Sequence, residues 1–427
     1  MKILHLATQD KGGGGGGFDA AYRLHCNMRS AGVESAMIVF NKQSDDRQVI
    51  SISNHFTLED KLRWFLKKCS LRIHRRIYTS PYFIVEMGDF FPVSRLLAAL
   101  PFRPNAIIVH WVSTFITTRI MRNLSLATGA PLYWYMADMA PLTGGCHYAF
   151  DCNGYKYECG NCPQLQYGKS ANDISHRQWK QKFDNFHAVN ITMVPASSWL
   201  ERQTMESSLF SSGSIRKILL GIDSDIFKPV SQVMVRKLLD LPVDKTILFF
   251  GAHNLFEERK GINYFLDALN YLKAMLQKKK NISERIMIVT AGSETNMDQY
   301  ILPFRHQHIG FLRGDDKLAA AYQAANVFIC SSTEDSGPMM INESILCGTP
   351  VISFDMGVAP DLVHTGMTGY RARLRDAQDM AKGLHDLLLM NSNSMNDMRD
   401  RCRKLGLKLC HPTVQVKAFL DMCTCEK

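Results

Sequence analysis

At 427 residues, 46% hydrophobic and 21% charged, the chain exceeds what one core supports and is too apolar to be disordered, so two globular domains are expected. Lysine and arginine exceed the acids by ten (50 against 40), and seven of the basic residues fall between Lys61 and Arg76, so the surplus is local. No run of 18 apolar residues occurs, which excludes an apolar spanning helix, and the apolar stretch of MKILHLATQD is too short for a signal peptide; a cytoplasmic protein is expected.

The first element is a strand, Met1 to Thr8, followed by six glycines, Gly12 to Gly17, a helix from about Phe18 to Ser30 closed by Gly32, and a strand from Ser35 to Phe40. Strand, glycine loop, helix, strand opens a nucleotide-binding α/β fold. Six consecutive glycines satisfy G-x-G-x-x-G trivially, and no acid closes the second strand, so a dinucleotide site is not expected. The loop either lets a ligand approach the backbone closely or is a surface connection. In Lys61 to Tyr78, Leu62, Phe65, Leu66, Cys69, Ile73 and Ile77 recur at helical spacing among basic residues, and no acid occurs before Val85. Such a helix can lie on an anionic membrane surface, or it is a core helix with a solvated basic face; no nucleic-acid motif accompanies the charge, so no nucleic-acid partner is expected. Strands follow at Ala106 to His110 and Pro131 to Met136.

Cys146, Cys152, Cys159 and Cys162 are spaced C-x5-C-x6-C-x2-C among glycines. Four thiolates in 17 residues can wrap a tetrahedral structural zinc, and reduced structural cysteines are the alternative. A strand at Ile191 to Pro195 and a helix at Ser197 to Glu201 come next. A second α/β domain begins with the strand Thr246 to Ala252. Arg259-Lys260-Gly261 opens a helix from Ile262 to Leu272, and two cations at a helix start can clamp a diphosphate or stand as an exposed basic pair. A strand at Arg285 to Ala291 and a helix at Lys317 to Ala324 lead to the buried strand Asn326 to Cys330. The polar loop Ser331 to Gly337 then feeds a helix that starts at Pro338 and stops at Gly348, before the strand Val351 to Phe354. The loop should lie at the carboxyl end of a parallel sheet, where ligands bind. Glu343, inside the helix, can accept hydrogen bonds from the vicinal hydroxyls of a ribose, and an acid in the loop can do the same for a sugar; acids favoured by the helix dipole are the alternative. Helices are expected from Ala377 to Met390 and from Pro412 to Met422.

Asp335 and Glu343, eight apart and followed by Cys347-Gly348-Thr349-Pro350-Val351, resemble the signature of the family 4 glycosyltransferases, which have the GT-B fold. The segment from Gly357 to Gly369, with Asp361 where glutamate is usual, resembles the family's next loop, and Ile309 to Leu312 resembles one of its strands. The similarity is strongest to the branch that builds bacterial surface polysaccharides, whose insertion residues 143–165 resemble. The resemblance implies an α/β protein of two Rossmann-like domains with parallel sheets facing across a cleft. The expected domains are an acceptor-side domain at 1–212, a nucleotide-sugar domain at 213–408, and a terminal helix at 409–427 that packs back on the first. It implies a retaining hexosyltransferase of capsule, exopolysaccharide or O-antigen synthesis, with a nucleotide-sugar donor and a glycan or polyprenyl-linked acceptor. Asp335, Lys260 and Arg259 would be catalytic, and Gly15, Gly16, Asp138, Glu343 and Asp361 would bind the donor. Cys146, Cys152, Cys159 and Cys162 would hold the zinc.

No pair of carboxylates can be placed about an anomeric carbon as acid and nucleophile. The implied mechanism is same-face substitution without a catalytic metal, the departing diphosphate helping to remove the acceptor's proton. Ala137 stands where the branch has histidine, and Ser336, Met339 and Met340 stand where it has Asn, Asn and Thr. These departures support an alternative, a catalytically inactive GT-B scaffold in an assembly complex. Another GT-B enzyme, an epimerase or a pyridoxal-dependent phosphorylase, is a second.

Overall fold

A computed structural model describes residues 1–12, 16–74, 80–86, 88–210, 213–293 and 302–425. The chain forms two compact units. One comprises Met1–Ala196, Leu200–Ile218 and Val416–Lys427; the other comprises Ser197–Trp199 and Leu219–Gln415.

The first unit contains β1 (Lys2–Gln9), α1 (Gly16–Ser30), β2 (Glu34–Asn41), β3 (Val49–Ser51), α2 (Leu58–His74), α3 (Val93–Ala99) and β4 (Ala106–Val109). It continues through α4 (Thr118–Thr128), β5 (Leu132–Met136), α5 (Ile174–Phe186), β6 (Ile191–Pro195), α6 (Ser198–Glu206, from Leu200) and β7 (Ser214–Ile215). Every paired strand is parallel, in the order β3-β2-β1-β4-β5-β6-β7. Both faces of such a sheet are covered, so its central strands are continuous apolar runs: Ala106-Ile107-Ile108-Val109 is buried throughout.

The second unit repeats the plan. It contains α7 (Gln232–Leu238), β8 (Thr246–Gly251), α8 (Ile262–Met275), α9 (Lys280–Ser283), β9 (Ile286–Ala291), β10 (Arg305–His308), α10 (Asp315–Ala324) and β11 (Val327–Cys330). After these come α11 (Met339–Leu346), β12 (Val351–Phe354), α12 (Ala359–Leu362), β13 (Gly369–Ala372), α13 (Ala377–Leu388), α14 (Ser392–Cys410) and α15 (Pro412–Cys425). Its sheet runs β10-β9-β8-β11-β12-β13, again all parallel. From Val416 onward α15 belongs to the first unit, where Phe419 meets Tyr135 edge-on at 5.2 Å.

The sequence analysis does not anticipate β3, β7 or β13, and it misplaces the edge strand of the second sheet. The apolar segment Ile309 to Leu312 is not a strand; the edge position is filled by Arg305–His308, which pairs with β9. An edge strand has one open side and tolerates polar residues, so apolarity misplaces it. Among the described residues no helix is long and apolar enough to cross a membrane.

Candidate functional site

In each sheet the chain order reverses beside the first strand, between β1 and β4 and between β8 and β11. Loops leaving the carboxyl ends of such a strand pair diverge to opposite faces and leave a crevice where ligands bind. Arg259, Lys260 and Asp335 collect there in the second unit. After β8 the chain makes a single helical turn at Glu258–Lys260 and enters α8 through Gly261. Gly261 has φ +67°, and a Cβ on it would lie 2.0 Å from the Ser331 carbonyl oxygen, so only glycine fits. That close approach stitches the two loops together. The Thr333 N–H donates to the Arg259 carbonyl at 2.8 Å, and the Ser331 hydroxyl donates to the Lys260 carbonyl at 2.9 Å.

Side chains complete the junction. Asp335 Oδ2 accepts from Arg259 Nη1 and from Lys260 Nζ, both at 2.7 Å. Arg259 also grips Glu257, Nε to Oε1 at 2.6 Å and Nη2 to Oε2 at 3.1 Å. Burial pushes the Asp335 carboxyl up, but Lys260 and Arg259 outweigh it and hold it at about 2. Two cations and two carboxylates thus form one nearly buried network, so the three residues expected to be catalytic contact one another.

The donor-binding residues fall elsewhere in the unit. Glu343 is buried within α11 and accepts from the Tyr322 hydroxyl at 2.9 Å. Burial and the Glu343 charge together raise the Tyr322 pKa well above its ordinary value. Tyr322 carried no sequence signal, being one more large residue in an alanine-rich helix. Asp361 Oδ2 accepts from the Ser198 N–H at 2.8 Å and Oδ1 from the Ser198 hydroxyl at 2.6 Å.

In the first unit Gly16 opens α1, while Gly15 lies outside the described residues. Asp138 Oδ2 contacts His147 Nδ1, and its Oδ1 accepts from the Ala140 N–H at 2.9 Å. Trp111, just past β4, lies with its ring 5.6 Å from that imidazole, and Phe18 of α1 meets Trp111 at 5.3 Å. Ala137 is next to this group and lies 3.6 Å from where a Cβ on Gly17 would stand. Asp138 therefore sits by the switch point of the first sheet, engaged with a histidine ten residues beyond Ala137.

The four cysteines are free and line one small cavity. Among the described residues, however, no three His, Cys, Asp or Glu side chains stand at metal-holding distances.

Residues 244–390 match the family described as glycosyl transferases group 1. The matched segment contains every strand of the second sheet and the Arg259–Lys260–Asp335 network. Among similar proteins, a D-inositol 3-phosphate glycosyltransferase of Saccharomonospora viridis is 25% identical over 182 residues, 40% of this chain and 41% of that protein. The chain spans about two fifths of the length of such curated relatives. An uncharacterized 41.2 kDa protein in the cps region of Klebsiella pneumoniae is 20% identical, over 58% of this chain and 66% of that one. In fold, Anabaena HepE in complex with UDP and glucose aligns with a TM-score of 0.63 at 13% identity, over 99% of both chains. Both units thus have the α/β plan of GT-B proteins.

Proposed function

We propose that the protein is a glycosyltransferase that moves a sugar from a nucleoside-diphosphate sugar to a polysaccharide or lipid-linked acceptor, with retention of configuration. The observation that carries this reading is the Arg259–Lys260–Asp335 network at the switch point of the matched segment. Two side-chain cations held on rigid loops beside a helix start are suited to a departing diphosphate, whose charge grows as the glycosidic bond breaks. Asp335 keeps both cations oriented before the donor arrives. Their stabilisation of the leaving group replaces a catalytic metal, and the diphosphate takes up the acceptor's proton on the face it leaves. UDP and UDP-glucose in the HepE structures support a nucleotide-sugar donor, and the cps-region relative supports a surface polysaccharide as the product.

The acceptor class agrees with α2. Leu62, Phe65 and Leu66 lie on one side of this helix, each more than half exposed, with Lys61 and Lys68 exposed beside them. An exposed apolar stripe flanked by lysines suits an anionic lipid surface, where a lipid-linked acceptor would be found.

The test is calorimetric titration with UDP and other nucleoside diphosphates, followed by transfer and hydrolysis assays on the nucleotide sugars that bind. Replacing Lys260 with Ala removes a charge-assisted hydrogen bond of ~1.5–3 kcal/mol, so the nucleotide Kd should rise roughly tenfold to a hundredfold. The folded structure should persist. Unchanged affinity would remove Lys260 from the site. A second reading, an inactive scaffold, is favoured by Ala137 and by carboxylates that already neutralise both cations. Nucleotide binding without hydrolysis or transfer of any donor would select it.

A further inference from the structure

The segment between β5 and α5, residues 137–173, has no strand and only two single turns of helix, yet it is held firmly. Cys146, Cys162 and Leu165 pack with Phe83 in a small apolar cluster. The segment's backbone is also gripped by polar side chains at and within α5. Asp173 Oδ2 accepts from the Cys162 N–H at 2.9 Å, and His176 Nδ1 lies 2.9 Å from the Cys159 carbonyl oxygen. Gln178 donates to the Gly144 carbonyl, and Lys182 donates to the carbonyls of Ala140 and Thr143 at 2.7 and 2.8 Å. Lys182 and Gln178 are buried, so this face of α5 is committed to the loop.

What the grip organises is a thiol-lined chamber. Cys146, Cys152, Cys159 and Cys162 all border one cavity with about 20 Å³ open to the centre of a water-sized sphere. That is room for a single small occupant. Two of the sulfurs already receive backbone donors, Gly144 N–H to Cys159 Sγ at 3.2 Å and Gly154 N–H to Cys152 Sγ at 3.4 Å. Positive-φ conformations, among them those of Gly145, Phe150 and Asn161, bend the chain around the chamber. Gly145 has φ +142°, and a Cβ there would lie 2.7 Å from the Ile84 carbonyl; Asn161, inside the C-x-x-C, has φ +47°. The loop is thus bent around the thiols, and the buried Lys182 that holds its Ala140 and Thr143 carbonyls is itself paired with Glu86 at 3.1 Å.

We propose that this loop is a structural zinc site with Cys146, Cys152, Cys159 and Cys162 as its four ligands. In the present arrangement the four sulfurs line the cavity without converging on one centre. Ligation would require side-chain rotation that brings the four sulfurs to about 2.3 Å from one centre, each thiol giving up its proton to solvent. The backbone donors to Cys159 and Cys152 would offset part of the negative charge of four thiolates. The site is remote in sequence from the matched segment and does not rest on the transferase reading.

Untagged protein, dialysed free of loosely bound metal, should carry about one zinc per chain by mass spectrometry of the metal. A thiol-specific mercurial should release it stoichiometrically to a chromogenic chelator. Cobalt grown in place of zinc should give the charge-transfer absorbance of thiolate ligation. Cys152→Ser alters the least buried of the four and should lower cobalt affinity while the protein still folds. Strong chelation of wild-type protein should expose residues 143–172 to protease. Folded metal-free protein with four titratable thiols, or a Cys146–Cys162 disulfide found by peptide mass, would overturn the proposal.

Discussion

Asp335 shows how far single residues could be read. Its spacing from Glu343 marked it as functional, and it does lie at the switch point of the second sheet. Its carboxylate is shared by Arg259 and Lys260, partners that its spacing from Glu343 does not indicate. Residues 75 positions apart carry no mutual signal in one chain; only the pairing of β8 with β11 joins them. This ion cluster has a pH signature. The folded-state pKa of Asp335, about 2, lies below the ordinary carboxylate value, so the unfolded chain binds the extra proton as pH falls. The stability it contributes is complete above about pH 4 and is lost as pH falls toward 2. Asp335→Asn should therefore destabilise the second unit at pH 7, by ~3–5 kcal/mol if it behaves as a broken buried pair, and should flatten the acid limb of its stability curve. Chemical denaturation at pH 7, 4 and 3 measures both, and parallel curves for the two proteins would show that the cluster is not ionised as drawn.

Most strands with an apolar buried face were legible, whereas α4 was not, although it buries Ile120, Met121 and Leu124. The strands β8, β9, β11 and β12 are short apolar runs and were read within a residue or two. Helix α14 was missed: its buried positions are Met398, Cys402, Gly406 and Cys410, one small or flexible residue per turn. That stripe is too narrow for periodicity to detect. Helix α5 was missed for a related reason, since it buries Ser175, Gln178, Lys182 and Asn185 beside its aromatics. Helix α2 was legible as a pattern, and its exposure now gives the pattern a consequence. Sedimentation with anionic vesicles should fall on replacing Leu62 and Phe65 with Ser, and should fall more steeply with salt than binding to neutral vesicles; no sedimentation with either kind would defeat the membrane reading. Strands β1 and β4 and helix α1 bring together a cluster no pattern announces. His5 Nδ1 lies 2.9 Å from His110 Nε2, and His25 of α1 bonds to Ser35. Burial lowers His25 to about 4, with Asp46 opposing, and burial and His25 lower His110 to about 3. All are neutral in the folded protein, so the unfolded chain takes up protons first as pH falls below ~6.5. The first unit should lose stability from pH 6.5 down toward 4, and His25→Gln should make that loss shallower by one proton; an unchanged slope would place the acid sensitivity elsewhere.

At the scale of the whole molecule, two α/β halves were legible because each repeats strand, loop and helix with buried parallel strands. The contribution of the chain's far end to the first half was not legible from local pattern. Residues from Val416 belong to that unit although 197 residues of the other, Leu219–Gln415, intervene. Phe419 is fully buried there against Tyr135 of β5, and Val416 is nearly so. The first unit is therefore incomplete without the last helix, and its stability should depend on residues that sequence order assigns to the second. Phe419→Ala removes a fully buried aromatic and should cost ~3–5 kcal/mol. The cost should fall on one unit. A nucleoside diphosphate that binds the second unit raises that unit's transition by mass action and so identifies it in a thermal scan. In Phe419→Ala the transition that the nucleotide does not raise should move down by several degrees, while the nucleotide-sensitive one keeps its temperature and its shift. If instead only the nucleotide-sensitive transition moves, the terminal helix belongs energetically to the second unit. A single transition that drops as one would mean that the two units unfold together.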